Sequence, residues 1–277
     1  MRHPKLLFIT FFIFCSHYTF AQNRIVSIGG TLTEIVFELG LGEKIVGIDA
    51  TSVYPEEKVK NIKNLGYRQS ISMEGIVSLN PDIVLASTKL TPQPLIDSLK
   101  KLKVNLVVVK EEDTFESAKE KIKVVANKLN RAEKGKMLIS KLEKELSVAK
   151  EKASNKEIKK KLVFIYARGG NRIFLSGSET AADKMIQLAG AKNAFDQVKG
   201  FKPITTEALI ESNPDAVVML KSGKDSLKNP WSSIKGIEHT TAGKNKNMIL
   251  VDDLSFLGFG PRSASELIEF SKKIHNL

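Results

Sequence analysis

Short β-branched runs alternate along this chain with stretches whose apolar residues return every three or four positions. The first run, 24–28 (RIVSI), ends at Gly29 and Gly30. An apolar-periodic stretch, 31–39, follows and stops at Gly40, Leu41 and Gly42, before 45–48 resumes as strand. Continuous apolar runs suit strands buried on both faces of a parallel sheet, and a 3.6-residue period marks the helices that cover them. The same pattern predicts further strands at 83–86, 105–109, 161–166 and 248–251, and helices at 92–101, 180–189 and the C-terminus. Strand, glycine turn, helix, strand opens a parallel βαβ unit. The longest helical stretch, 114–153, carries Ile122, Val125, Ala126 and Leu129, then Leu138, Leu142, Leu146 and Ala149 at helical spacing, with a break at Asn130 and Arg131.

One sixteen-residue pattern occurs twice, 133 positions apart: SMEGIVSLNPDIVLAS at 72–87 and TTEALIESNPDAVVML at 205–220. Each copy reads as a Ser/Thr-capped short helix, an Asn-Pro-Asp turn and a buried parallel strand. Two copies in one chain imply two similar lobes. The fold expected is α/β: two Rossmann-like lobes with parallel sheets, residues 22–113 and 158–277, joined by a long rigid helical region at 114–157. A ligand cleft lies between them. A helical connection, unlike a Gly/Ser linker, predicts limited hinge motion.

Composition changes the picture mainly at the N-terminus. Arg2 and Lys5 precede an apolar run at 6–14 (LLFITFFIF), and Thr19 and Ala21 supply small residues at the −3 and −1 positions of a cleavage site. This predicts a secretory signal at 1–21, removed after Ala21, and a periplasmic destination. Cys15, the single cysteine, follows the bulky Phe14, so a lipid anchor is not expected there. Without Cys15 the mature chain has no disulfide and no thiol chemistry, and its stability rests on its cores, with length enough for two. The formal net charge is +12. A secreted chain with no basic–aromatic module is not expected to bind nucleic acid, and the mixed charges between Lys119 and Lys161 read as a solvated helix surface.

Among candidate chemistries, catalysis finds no support: there is no GxSxG, P-loop or HExxH, and beyond the signal only His239 and His275 remain. Two histidines also fall short of a zinc or manganese site. Tyr67, in the loop Gly66-Tyr67-Arg68, is more informative. A phenolate is a hard oxygen ligand suited to ferric iron and a known axial ligand of haem, and Arg68 is a cation able to hold it deprotonated. On the residues alone, an ordinary half-buried tyrosine with a hydrogen-bonded hydroxyl is the simpler reading. Glu74 and Glu207 occupy the same place in the two copies. They are either first-turn acids of their helices or two carboxylates offered to arginines on a two-fold symmetric partner. Arg168, Arg172, Phe256, Phe259 and Arg262 fall in loops expected to face the cleft. There, guanidinium groups would suit carboxylates on a ligand and rings would suit a flat apolar one, while any single arginine reads more simply as paired with a local carboxylate.

Four stretches carry a family resemblance: RIVSIGGTLTEIVFELG (24–40), NLGYRQSISMEGIVSLNPDIVLAS (64–87), SETAADKMIQLAGAKNA (178–194) and TTAGKNKNMILVDDLSFLGFGPR (240–262). They resemble the substrate-binding proteins of bacterial ABC importers for haem, in the helical-backbone class that also carries cobalamin and siderophores. The resemblance implies a non-enzymatic, monomeric carrier that delivers haem to a permease dimer in the inner membrane. It makes Tyr67 the haem axial ligand, Arg68, Arg168, Arg172, Phe256, Phe259 and Arg262 the haem pocket, and Glu74 and Glu207 the docking residues. Members often place an arginine two residues after the tyrosine, where this chain has Gln69. Some carry a histidine where it has Arg168, which implies five-coordinate or water-ligated iron. The alternatives are cobalamin or a ferric siderophore in the same fold and, more distantly, a secreted α/β enzyme.

Overall fold

In a computed structural model, residues 24–154, 160–168 and 172–277 are described, and of Ser154, Arg168 and Arg172 the backbone only. The expected signal at 1–21 lies outside these. The first sheet contains β1 (Ile25–Ile28), β2 (Ile45–Ile48), β3 (Lys63–Asn64), β4 (Ile83–Ser87) and β5 (Leu106–Val109), in the order β3-β2-β1-β4-β5, with every pairing parallel. The second contains β6 (Lys161–Arg168), β7 (Arg172–Ser176), β8 (Lys192–Asn193), β9 (Phe201–Pro203), β10 (Ala216–Leu220) and β11 (Met248–Val251). Its order is β11-β10-β6-β7-β9, with β8 also on β6. The pairs β11–β10 and β10–β6 are parallel, but β7 is antiparallel to both its neighbours, β6 and β9, so this lobe is mixed rather than wholly parallel as expected. The strand at 172–176 follows β6 after three residues, too few for a parallel crossover, so it can only return antiparallel.

The duplicated pattern forms duplicated structure. Ser72 Oγ accepts from Gly75 N at 3.0 Å, capping the helix Met73–Val77, and Thr205 Oγ1 accepts from Ala208 N at 3.3 Å, capping Thr206–Ser212. Asn80 (φ 44°) and Asn213 (φ 38°) then turn the chain through the left-handed region that Asn tolerates best after Gly. Past each proline, an aspartate ties the turn to the start of its lobe's central strand. Asp82 Oδ2 accepts from Arg24 N (3.1 Å) and Asp215 Oδ2 from Lys161 N (2.7 Å). The Arg24 guanidinium and Lys161 Nζ also reach the equivalent helix-end carbonyls of Leu79 (2.7 Å) and Ser212 (3.0 Å). The Asn-Pro-Asp turn therefore sets which strand lies beside β1 and which beside β6.

The helices Phe115–Lys128 and Ala132–Ser154 meet at Asn130 (φ 55°), where the sequence breaks its period. They do not merely bridge two separate cores. One apolar cluster runs from Ile25, Leu32 and Ile83 in the first lobe, through Ile122, Leu142 and Leu146, to Phe164, Phe256 and Phe270 in the second. Smaller clusters cover the outer sheet faces, around Val26, Ile76 and Val84 in one lobe and Val163, Val217 and Met219 in the other. Each fully buried Leu, Ile or Phe contributes about 1.5–3 kcal/mol. Separating the lobes would expose a share of that surface.

Candidate ligand cleft between the lobes

All strands of the first sheet are parallel, so their carboxyl ends share one edge: Gly29 after β1, Thr51 after β2, Tyr67 after β3, Thr88 after β4 and Glu111 after β5. That edge meets the second lobe. Leu254 and the loop from Gly258 to Arg262 seat against Gly30, Thr31 and Glu34 at the start of the helix Gly30–Glu38. Gly29 adopts φ 132°, which a side chain would strain, and its N–H donates to Asp49 Oδ1 at 2.9 Å. Gly30 N donates to Thr51 Oγ1 at 2.9 Å. The glycine pair thus serves a tight turn and close lobe contact. In open α/β sheets, the carboxyl edge is where ligands bind.

Tyr67 is held on this edge by its backbone. Gly66 turns at φ 92°, its N–H donating to Asn64 Oδ1 (2.8 Å) and its carbonyl accepting from Ala50 N (2.9 Å). Tyr67 N donates to Ser70 Oγ at 3.0 Å, and the Tyr67 carbonyl accepts from Ser70 N and Oγ, closing the turn. Tyr67 as a whole is 38% exposed. Arg68 beside it is exposed and makes no ion pair among the described residues. On the facing lobe, positions 168 and 172 pair as the last rung between β6 and β7, at the same end as the carboxyl ends of the parallel strands. Their side chains lie outside the described residues.

Three expected pocket residues are placed differently. Phe256 is fully buried, stacked on Phe164 (centroids 5.8 Å apart, 4° between planes) and edge-on to Phe270 (5.0 Å). Phe259 is fully buried edge-on to Phe115 at 5.2 Å. The glycine-rich loop packs these rings inward against the shared apolar core, and Phe259 also lines a cavity of about 350 Å³ with Phe115, Leu146 and Leu188. Arg262 is committed to a clamp across the junction. Its Nε donates to Glu34 Oε1 (3.0 Å), Nη2 to Oε2 (3.3 Å) and its backbone N to Oε1 (3.2 Å). The guanidinium stacks over the Tyr54 ring at 3.5 Å and lies 3.5 Å from Asp252. Burial pushes Glu34 up to about 7, although Arg262 pulls the other way.

A second charged link was not expected. Lys121, fully buried, donates to Glu111 Oε1 (3.1 Å) and to the carbonyl of Gly258 in the facing lobe (2.9 Å). Glu111 also accepts from Thr31 (3.1 Å) and Ser87. Burial raises the Glu111 carboxyl, but Lys121, Ser87 and Thr31 together hold it below the usual range. Lys121 carried a legible signal: it sits among Ala118, Ile122 and Val125 on an apolar helix face, where a lone lysine needs a partner. Glu34 does the same inside TLTEIVFELG. Glu74 and Glu207 are exposed, on the capped helices, with no ion-pair partner among the described residues. One cavity of about 610 Å³, lined by Thr206, Trp231 and Glu238 among others, lies beside the helix Thr206–Ser212 rather than at Tyr67.

Two α/β lobes thus meet across the carboxyl edge of the first sheet, tied by charged links. The family description "periplasmic binding protein" matches residues 25–254. The chain belongs to this family. A periplasmic heme-binding protein, RhuT from Roseiflexus sp. RS-1, is similar in structure, with a TM-score of 0.87 and 33% identity over 92% of this chain and 98% of that one. An uncharacterised ABC transporter substrate-binding lipoprotein of Bacillus subtilis, YvrC, is 30% identical over 78% of this chain and 70% of that protein. A vitamin B12-binding protein of Pectobacterium atrosepticum is 25% identical over 83% and 82%. This periplasmic binding protein is thus a substrate-binding transport protein and not an enzyme, periplasmic or extracellular, with an ABC-type membrane permease as its partner.

Proposed function

We propose that this periplasmic binding protein takes haem into the cleft between its lobes and hands it to the permease. The observation that carries the reading is Tyr67: a tyrosine more than one-third exposed, on a turn fixed by Gly66 and Ser70, at the edge facing the other lobe. A free phenol titrates near 10. Ferric iron would hold it as phenolate, with the Arg68 cation adjacent. Arg68, with Arg168 and Arg172 across the cleft, would pair with the propionates, and with no histidine at 168 the iron stays five-coordinate or water-ligated. The similarity to a heme-binding protein supports this choice. The similarity to vitamin B12-binding proteins favours cobalamin as the second reading, in which Tyr67 only lines the pocket.

Glu74 and Glu207 dock the loaded chain on two equivalent arginine-bearing sites of the permease dimer, and docking eases the lobes apart to release the ligand. The chain works as a monomer, exported by a signal cleaved after Ala21. The test is an absorbance titration of hemin, with cyanocobalamin in parallel, into the chain from Gln22 to Leu277 and its Tyr67→Ala variant. Saturable hemin binding with a ferric-tyrosinate spectrum, lost in the variant, is the expected result. Hemin binding that ignores the variant discards Tyr67 as ligand. Binding of cyanocobalamin alone moves the assignment to cobalamin.

A further inference from the structure

The two docking helices share a second feature. Val77 and Ile210 are 39% and 38% exposed, while Ile76 and Leu209 on the same helices are fully buried. Each exposed residue follows its glutamate by three positions, Glu74 to Val77 and Glu207 to Ile210, and so lies on the same helix side one turn on. Val77 and Ile210 are also 133 positions apart, the spacing of the internal repeat. Nine large apolar side chains are exposed among the described residues, and two of them fall on this one equivalent pair of positions. A scatter of unrelated surface residues would not be expected to do so.

We infer that the permease footprint consists of two glutamate–aliphatic couples, Glu74 with Val77 and Glu207 with Ile210, related by the internal repeat. The inference rests on the reading of the glutamates as docking groups and adds an apolar contact beside each. The occupant is a dimeric permease that offers, at two equivalent places, a cationic side chain next to an apolar one. Charge favours that occupant over a second copy of this chain. A second copy bound through this face would set the same exposed carboxylates against each other, like charge on like, whereas a partner with a cation at each of two equivalent places complements both Glu74 and Glu207. The carboxylates would steer and register the encounter, whereas the buried aliphatics would hold it.

Site-specific photocrosslinking in living cells tests this on the full chain, with benzoylphenylalanine at position 77, at 210, or at the control position Met137, which is 72% exposed on the long helix. Positions 77 and 210 should each join an integral membrane permease subunit identified by mass spectrometry, and position 137 should not. Absence of permease adducts at 77 and 210, or equal yield at 137, overturns the footprint. Adducts containing only this chain overturn it in favour of a dimer interface. In a Glu74→Lys/Glu207→Lys background the adducts should vanish. If they persist, the aliphatic contacts stand and the glutamate docking falls. Val77→Ser/Ile210→Ser should bind its ligand normally, as a check of folding, yet lower cellular uptake of hemin or cyanocobalamin, whichever the purified chain binds, by roughly tenfold. Wild-type uptake by that variant also overturns the inference.

Discussion

Lys121→Met cuts one of the two charged links between the lobes while keeping the length and helix propensity of the side chain. In the native chain Lys121 Nζ lies 3.1 Å from Glu111 and 2.9 Å from the Gly258 carbonyl, with Lys121 fully buried and the Glu111 side chain 7% exposed. The substitution leaves a buried carboxylate with only the Thr31 and Ser87 hydroxyls, and a carbonyl with no ammonium donor. Removing one partner of a buried pair costs about 3–5 kcal/mol. At roughly 2–4 °C per kcal/mol for a chain of this size, the melting temperature should fall by about 6–20 °C. Circular-dichroism melts and urea titrations at pH 7 measure both quantities. The double variant Lys121→Met/Glu111→Gln removes the stranded charge and should recover much of the loss. A single-variant loss below about 1 kcal/mol would refute the reasoning, as would a double variant that recovers nothing, because the cost would then not come from the unpaired carboxylate.

Three further outcomes follow from the lobe junction. Glu34 is raised from its ordinary 4.5 to about 7, so the folded chain holds that proton more tightly than the unfolded one. The stability it carries is full below about pH 4.5 and is lost as pH rises to about 7, a change of about 3 kcal/mol that Glu34→Gln should flatten in urea midpoints taken from pH 5 to 7.5. Parallel profiles for the two chains would contradict this. Gly30→Ala would push a methyl into the Thr51 carbonyl and to 2.8 Å from Leu254 Cδ1, and should cost about 1–3 kcal/mol by calorimetry. Phe256→Ala should cost about 3–5 kcal/mol. The milder Phe256→Leu should lower stability without altering the spectrum of the bound ligand, and an altered spectrum would return Phe256 to the pocket.

The local order of elements was legible because each depends on neighbours in the chain. The duplicated Asn-Pro-Asp turns, the Ser72 and Thr205 caps and the break at Asn130 follow from side chains acting on backbone within a few residues. The mixed second sheet was less so: β7 and β9 are short and carry weak alternation, and their direction depends on the three-residue connection after β6. Among the site residues, position followed from topology but commitment did not. Arg262 in LGFGPR reads as facing a ligand or a local carboxylate, yet its partner Glu34 is 228 residues away in sequence. Phe256 and Phe259 read as exposed loop aromatics, and only packing against Phe164, Phe270 and Phe115 shows them to be core.

By itself, then, the amino-acid order determined two repeated α/β lobes, a helical connection and a tyrosine on a glycine-set turn, because hydrophobic period and turn chemistry act locally. What the tertiary structure alone decided is how the lobes are held. One apolar core runs through both, and the Lys121–Glu111–Gly258 and Arg262–Glu34 links close over it. Such contacts depend on partners that only folding brings close: Arg262 meets Glu34 from 228 residues away, and Lys121 meets the Gly258 carbonyl from 137, where burial has removed the water that would otherwise solvate each charge.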